Sequence, residues 1–111
     1  MLNYPVTVGL YLDTRRKLQN DTYPVKLRVT QRGRQRYYNT GQSCTLPDFE
    51  KIINVSSRIN YGQGKIRTIL FKIVGDAKET INDLAVFSFT QFGKAFFDTS
   101  AKVNSFVLQF F

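Results

Sequence analysis

The stretch RVTQRGRQRYYNTG, residues 28–41, turns on Arg32-Gly33 and sets four arginines, Arg28, Arg32, Arg34 and Arg36, among two tyrosines and several amide and hydroxyl side chains. Leading into it, Val25, Leu27 and Val29 alternate with Lys26, Arg28 and Thr30, the period-two pattern of a half-buried strand. The run from Arg34 to Gly41 is aromatic and β-branched enough for another strand, though less clearly alternating. Arg32-Gly33 between them is short enough for a tight hairpin. Further upstream, Val6, Val8, Leu10 and Leu12 alternate with Thr7, Gly9 and Tyr11, and the polar loop DTRRKLQNDT, residues 13–22, carries Asn20-Asp21 as its turn signal. The expectation is a three-stranded antiparallel meander over residues 5–41.

After Gly41 the period changes. Thr45-Leu46-Pro47-Asp48 reads as a helix start with Thr45 as N-cap, opening a short helix over about 46–54 that turns Phe49, Ile52 and Ile53 inward. NYGQG, residues 60–64, reads as a break. From Lys65 to Ala85, Ile66, Ile69, Leu70, Ile73, Ala77, Ile81 and Leu84 recur at three- and four-residue steps, the stripe of an amphipathic helix that Gly75 weakens without ending. At ~3.6 residues per turn this helix is long enough to cover one face of a small sheet. FSFTQFGKAFFDTS, residues 87–100, adds a short segment capped by Ser88 or Thr90, whose Phe89, Phe92, Phe96 and Phe97 need a partner surface. VNSFVLQFF stops without a terminating signal, like a helix cut off at its first turns, which predicts a piece of a longer protein. The fold class is α+β: a three-stranded antiparallel sheet packed on one face by helix, with further short C-terminal helical segments.

Register decides which residues face outward. With a two-residue loop, Gln31 pairs with Arg34, Arg28 with Tyr37, Leu27 with Tyr38, Lys26 with Asn39 and Val25 with Thr40, and opposed residues share a face. Tyr38 and Thr40 then join the core, while Lys26, Arg28, Thr30, Gln35, Tyr37 and Asn39 join Thr7 and Tyr11 on the other side. Arg32, Arg34 and Arg36 gather at the tip, where even an inward-pointing chain reaches past the helix edge. A loop one residue longer puts Arg34, Arg36, Tyr38 and Thr40 outside instead. In either register the exposed face is cationic, with aromatic and amide groups.

The charge follows the same geography. The net charge is +8, and residues 1–44 hold eight Lys/Arg (Arg15, Arg16, Lys17, Lys26, Arg28, Arg32, Arg34 and Arg36) against Asp13 and Asp21, a net of +6. A basic surface on this scale fits a partner rich in phosphate. Histidine is absent and Cys44 is the single cysteine, so neither an internal disulfide nor a Cys/His zinc site is available, and no cofactor or metal is expected. GQGK at 62–65 lacks the spacing of a phosphate-binding P-loop. Asp76, Glu79 and Asp83 sit at helical spacing as solvated charges. The N-terminus lacks the pattern of a signal peptide, and no run approaches the ~20 apolar residues of a membrane helix. The expectation is a cytoplasmic protein without a membrane partner.

TVGLYLDTRRKLQNDTYPVKLRVTQRGRQRYYNTG followed by TLPDFEKI resembles the N-terminal arm-binding domain of tyrosine recombinases, the phage-type integrases of bacterial mobile elements. The resemblance is carried by the first strand ending in Leu12-Asp13, the Tyr23-Pro24-Val25-Lys26-Leu27-Arg28 strand, and the aromatic-polar-Thr40-Gly41 end of the third. FTQFGKAFF and SFVLQFF resemble the segment that leads from that domain into the helical core-binding domain. What the resemblance implies is an arm-type DNA-binding domain over residues 1–86, and a linker with the start of a core-binding domain over 87–111. It also implies a sheet laid into the major groove of arm-type sites on double-stranded DNA, positioning a separate catalytic domain for integration and recombination. Catalysis in that family needs a tyrosine nucleophile with arginines and a His-containing motif. A chain without histidine cannot supply that set, so Tyr37 and Tyr38 are expected to stack or pack, and the fragment is expected to be non-enzymatic and monomeric, meeting other recombinase protomers only in a synaptic complex. One packing helix suffices for such a domain and the pattern gives two or three, which leaves open which of them covers the sheet.

The expected DNA contacts are Thr7, Tyr11, Arg15, Arg16, Lys17, Lys26, Arg28, Thr30, Arg32, Arg34, Gln35, Arg36, Tyr37 and Asn39. Arg28 and Lys26 would read guanine edges, Asn39 or Gln35 adenine, and the arginines of the tip and of the RRK loop would hold phosphates. Two other classes fit the sequence: a single-stranded DNA or RNA module stacking bases on Tyr11 and Tyr37, and a recombinase protein-interaction domain using the phenylalanine-rich stretch 87–111.

Overall fold

The structure is a computed structural model that describes residues 5–103. It consists of β1 (Val6–Leu12), β2 (Tyr23–Gln31), β3 (Arg34–Cys44), α1 (Leu46–Ile53), α2 (Tyr61–Asp83) and α3 (Phe89–Val103). The strands form one antiparallel sheet in the order β1-β2-β3, so the fold is α+β.

Arg32 and Gly33 take φ of 53° and 77°, the two positive angles of a type I′ turn, whose twist matches that of the strands it joins. This two-residue loop sets the register: Gln31 pairs with Arg34, Arg28 with Tyr37, Leu27 with Tyr38 and Lys26 with Asn39. The expected pairing of Val25 with Thr40 does not form. The ladder slips there, Pro24 pairing with Ser43 and Tyr23 with Cys44, so that Thr40, Gly41 and Gln42 bulge opposite Val25. Gly41, with φ 80°, makes the bend. The Thr40 hydroxyl closes the gap by donating to the Val25 carbonyl at 2.7 Å and accepting from the Gln42 amide at 3.2 Å. A slip of two residues preserves the alternation of faces, so β3 continues past residue 41 and ends with Cys44 buried on the core side. Burial raises the Cys44 thiol to about 11, which leaves it a small core residue.

Thr45 caps α1, its hydroxyl accepting from the Asp48 amide at 3.2 Å. α2 begins at Tyr61, four residues earlier than the apolar stripe predicts. Asn60 and Gln63 form a full capping box, each side chain accepting from the other's backbone N–H at 2.8 and 3.0 Å, and this satisfies donors that two first-turn glycines would otherwise leave to water. The two helices are tied together: the Gln63 amide donates to the Asp48 carboxylate at 2.7 Å, and the Arg67 guanidinium donates to the carbonyls of Ile52, Lys51 and Asn54, each at 2.8 Å.

α2 lies across the inner face of the sheet, with α1 and α3 completing the cover at opposite ends. At one end Leu12, Val25, Cys44, Phe49, Ile52 and Leu70 are buried together. At the other, Leu27, Val29, Ala77, Phe92 and Phe96 form the core, with Tyr38, Phe87 and Phe89 packed against it. Each fully buried Leu, Val or Phe side chain contributes roughly 1.5–3 kcal/mol, so Phe92 binds α3 firmly to the domain. The partner surface that the phenylalanines of 87–97 require is thus the sheet and α2 of the same chain. The expected core-binding segment from residue 104 onward lies outside the described residues. No helix of the described residues is long and apolar enough to cross a membrane.

Candidate nucleic-acid interface

The outer face of the sheet is built as three cross-strand rows. Thr7, Thr30 and Gln35 form the row nearest the hairpin tip, Gly9, Arg28 and Tyr37 the middle one, and Tyr11, Lys26 and Asn39 the third. No acidic residue occurs in any of the three strands.

The middle row places a cation between a residue without a side chain and an aromatic ring. Gly9 leaves Arg28 open on one flank, since a Cβ at Gly9 would meet nothing within 4 Å. The Arg28 guanidinium sits over the Tyr11 ring, 5.7 Å from its centroid, and the Tyr11 and Tyr37 rings lie 5.1 Å apart at 49°. The Tyr37 hydroxyl donates to the Gln35 side-chain oxygen at 2.9 Å, and the Lys26 ammonium donates to the Asn39 side-chain oxygen. These side chains therefore form a connected surface before any ligand arrives.

Cations flank this face at both ends. Beyond the Tyr11 row, Asp13 is only 4% exposed and its Oδ1 accepts from the Arg15 backbone at 3.3 Å and from the Arg15 Nε at 3.2 Å. Burial pushes the Asp13 carboxyl upward, but Arg15 and Lys26 outweigh it and hold the group below its ordinary range. Lys17 pairs with Asp21 at 2.8 Å, which raises the lysine pKa and lowers that of the aspartate. Asn20 and Asp21, with φ of 60° and 57°, turn the loop back toward β2 as their turn signal predicts. Arg16 is exposed in the same loop.

At the hairpin end Arg32, Arg34 and Arg36 are all exposed. Arg34 and Arg36 oppose Gln31 and Val29, hence lie on the core-side parity, and the Arg36 guanidinium reaches the Phe89 ring at 5.4 Å. Tyr38 packs against Phe92 and Phe97 with centroid distances of 5.4 and 5.9 Å, and burial raises its hydroxyl pKa. Of the fourteen residues expected from sequence, the eight strand residues on the outer-face parity come together on one surface, the RRK loop borders one end, and the three tip arginines border the other. Sequence reasoning did not single out Asp13, whose burial fixes Arg15, or Gly9, whose place beside Arg28 follows only from the β1–β2 register. The signal available for Asp13 was its position directly after the last apolar residue of β1.

No curated protein and no solved structure matches the chain significantly. The Arm DNA-binding domain family matches residues 10–88, from the middle of β1 through α2 to Ser88. With a cationic, acid-free sheet face at its centre and a family match over well more than half its length, the chain belongs to the arm-type DNA-binding domains, the N-terminal domains of tyrosine recombinases.

Proposed function

We propose that the chain binds double-stranded DNA by laying the outer face of its three-stranded sheet into the major groove. In the parent recombinase it would hold an arm-type site while a separate catalytic domain acts at the crossover site in integration and recombination. The observation that carries this reading is the acid-free set of three rows on the outer face with cations at both of its ends. Strands spaced ~4.8 Å apart give a β-ribbon a width suited to a groove about 12 Å wide. Arg28 is the guanine reader, because Tyr11 covers one face of its guanidinium and leaves the N–H edge for O6 and N7. Lys26, Thr7, Thr30, Gln35 and Tyr37 contact neighbouring base edges or sugar-phosphate. Asn39 reads adenine through its oxygen and its NH2, the second lone pair of that oxygen keeping the Lys26 ammonium. Arg15, Arg16 and Lys17 hold phosphates at one end of the face, and Arg32, Arg34 and Arg36 at the other.

The single-strand reading needs open aromatic faces. Tyr11 already stacks with Arg28 and touches Tyr37, so its platform is occupied. The protein-interaction reading needs free phenylalanines; Phe92 and Phe96 are spent on the chain's own core, which leaves Phe97 as the exposed ring among the described phenylalanines of α3. Fluorescence anisotropy with labelled duplex and single strands of equal length tests the proposal. Duplex should bind more tightly, and Arg28→Glu should abolish binding while the chain stays folded. Tighter binding to single strands, or unchanged affinity in Arg28→Glu, would overturn it.

A further inference from the structure

β2 is the middle strand of the sheet, so its outward side chains have a strand on either side. In a groove such residues face the floor, where base edges lie, while the exposed cations of the RRK loop and the hairpin tip face the rims, where phosphates lie. Lys26 is one of the floor residues, half-buried between Tyr11 and Asn39 in the third row. Its ammonium donates to the Asn39 side-chain oxygen directly across the strand pair. An ammonium has three donors and no acceptor, so it meets only the oxygen of that amide. The Asn39 oxygen is thereby held on the β2 side, with the NH2 turned away from Lys26.

The pair presents three groups in order across the face: the Lys26 ammonium as a donor, the Asn39 oxygen as an acceptor and the Asn39 NH2 as a donor. The major-groove edge of an A·T pair offers the complement, since thymine O4 accepts, adenine N6 donates and adenine N7 accepts. Spacing agrees as well. N6 and O4 are joined by a hydrogen bond of the base pair, and the ammonium and the amide oxygen by one on the protein, so each couple is one hydrogen bond apart. The amide oxygen has two lone pairs, one for the ammonium and one for N6. A G·C pair fails in either orientation. It sets the amide oxygen against guanine O6, another acceptor, and one of the two donors against the cytosine amino group.

We propose that Lys26 and Asn39 act as one reader of an A·T base pair, with Asn39 on the adenine and Lys26 on O4 of its thymine partner. The assignment rests on the major-groove reading above and names the base pair that this part of the face selects. It moves Lys26 from the guanine edge expected from sequence to thymine, and leaves Arg28 as the guanine reader. Lys26 has two tasks in it: it contacts one base and holds the amide that contacts the other.

Selection of duplexes from a random library by the 111-residue chain, followed by anisotropy titrations, tests the proposal. The selected duplex should hold an A·T pair at a position where Lys26→Met, which keeps the stem and removes the ammonium, lowers the preference over G·C about tenfold. Asn39→Ala should lower it at the same position, and the double variant no further than either alone, as for residues that act as a unit. Arg28→Ala should leave that position unchanged. Atomic replacements in the selected duplex probe the same contacts on the wild-type protein, whatever the variants do to folding. Replacing that thymine by 4-thiothymine, whose sulfur is a poor acceptor, or the adenine by 7-deazaadenine, which lacks N7, should each weaken wild-type binding several-fold. The 4-thiothymine duplex should bind Lys26→Met as the unmodified one does. A guanine position relaxed by Arg28→Ala, together with a Lys26→Met protein weakened on every duplex alike, would overturn the assignment while the major-groove reading stands. A chain that selects no base at any position overturns both.

Discussion

Arg28 on β2 holds its guanidinium 5.7 Å from the centre of the Tyr11 ring on β1, a diagonal contact across the outer face of the sheet. An arginine on an open strand would sample many rotamers, and ordering them on binding is part of the cost of association. The ring restricts that freedom in advance and leaves the N–H edge available.

Tyr11→Ala should therefore weaken duplex binding by the worth of an exposed cation–π contact, about 0.5–1 kcal/mol, a loss of a few-fold. Tyr11→Phe should keep wild-type affinity, because the ring and not the hydroxyl makes the contact. Anisotropy titrations on the three proteins check this. An equal loss in Tyr11→Phe would show that the hydroxyl reads the DNA.

Arg28 and Arg34 should respond differently to the same truncation. Arg28→Ala should cost about 1–3 kcal/mol on the selected site and relax its sequence preference at one position, whereas Arg34→Ala should weaken all duplexes alike and reduce the slope of log K against log salt by about one. Titrations at several salt concentrations, on the selected site and on a scrambled duplex, separate the two roles. A uniform loss in Arg28→Ala would demote it to a phosphate contact.

Most of the sheet was legible in the sequence because its rules are local. Alternation set the faces of β1 and β2, whereas the β2–β3 register depends on a hairpin loop of two or three residues, and the structure forms the two-residue loop that pairs Gln31–Arg34 through Lys26–Asn39. The slip opposite Val25 was not legible, since it depends on the Thr40 hydroxyl finding the Val25 carbonyl and on a left-handed Gly41, neither of which perturbs the period of two. The start of α2 is hidden in the sequence because the two glycines of NYGQG mask the Asn60 and Gln63 pair, whose capping box opens the helix. The phenylalanines of α3 were recognised as needing a partner, but that the partner is the chain's own sheet is a tertiary fact. In the site, the outward residues of β1 and β2 followed from parity and those of β3 from the two-residue loop the structure forms, while Gly9 beside Arg28 and the buried Asp13 beside Arg15 required the three-dimensional register.

The hairpin turn should be sensitive at Gly33. A Cβ there meets nothing within 4 Å, so Gly33→Ala adds no clash and isolates the strain of placing a side chain at φ 77°. The expected destabilisation is about 1–2 kcal/mol, read as a lower midpoint in urea. Arg32→Asn should move the midpoint upward, since asparagine tolerates the left-handed angle at the first turn position better. A Gly33→Ala protein as stable as wild type would mean that the turn has changed type.

Arg67 ties α2 to the C-terminal carbonyls of α1, donating to Ile52, Lys51 and Asn54. Arg67→Met keeps the stem and removes the charge-assisted bonds, and it should lower stability by about 2 kcal/mol. Because Arg67 lies on the helical layer, DNA affinity measured well below the melting temperature should not change. A matching loss of affinity would place α1 in the interface.

Asp13 gives the stability a pH dependence whose sign is fixed. Its folded carboxyl titrates below the ordinary 3.8 because Arg15 and Lys26 outweigh the effect of burial, so the unfolded chain takes up that proton first as the pH falls. The ionised group therefore stabilises the fold fully above the unfolded pKa, and the contribution disappears as the pH drops through the lower folded value. Asp13→Asn should be less stable than wild type by a constant margin near neutrality, and the two urea midpoints should converge in acid as wild-type Asp13 becomes protonated. The Arg15→Ala protein should also show a shallower acid limb, since Arg15 is the partner that depresses the titration. Parallel wild-type and Asp13→Asn curves down to the acid limit would mean that Asp13 titrates alike in both states and that the RRK loop is not anchored through its charge.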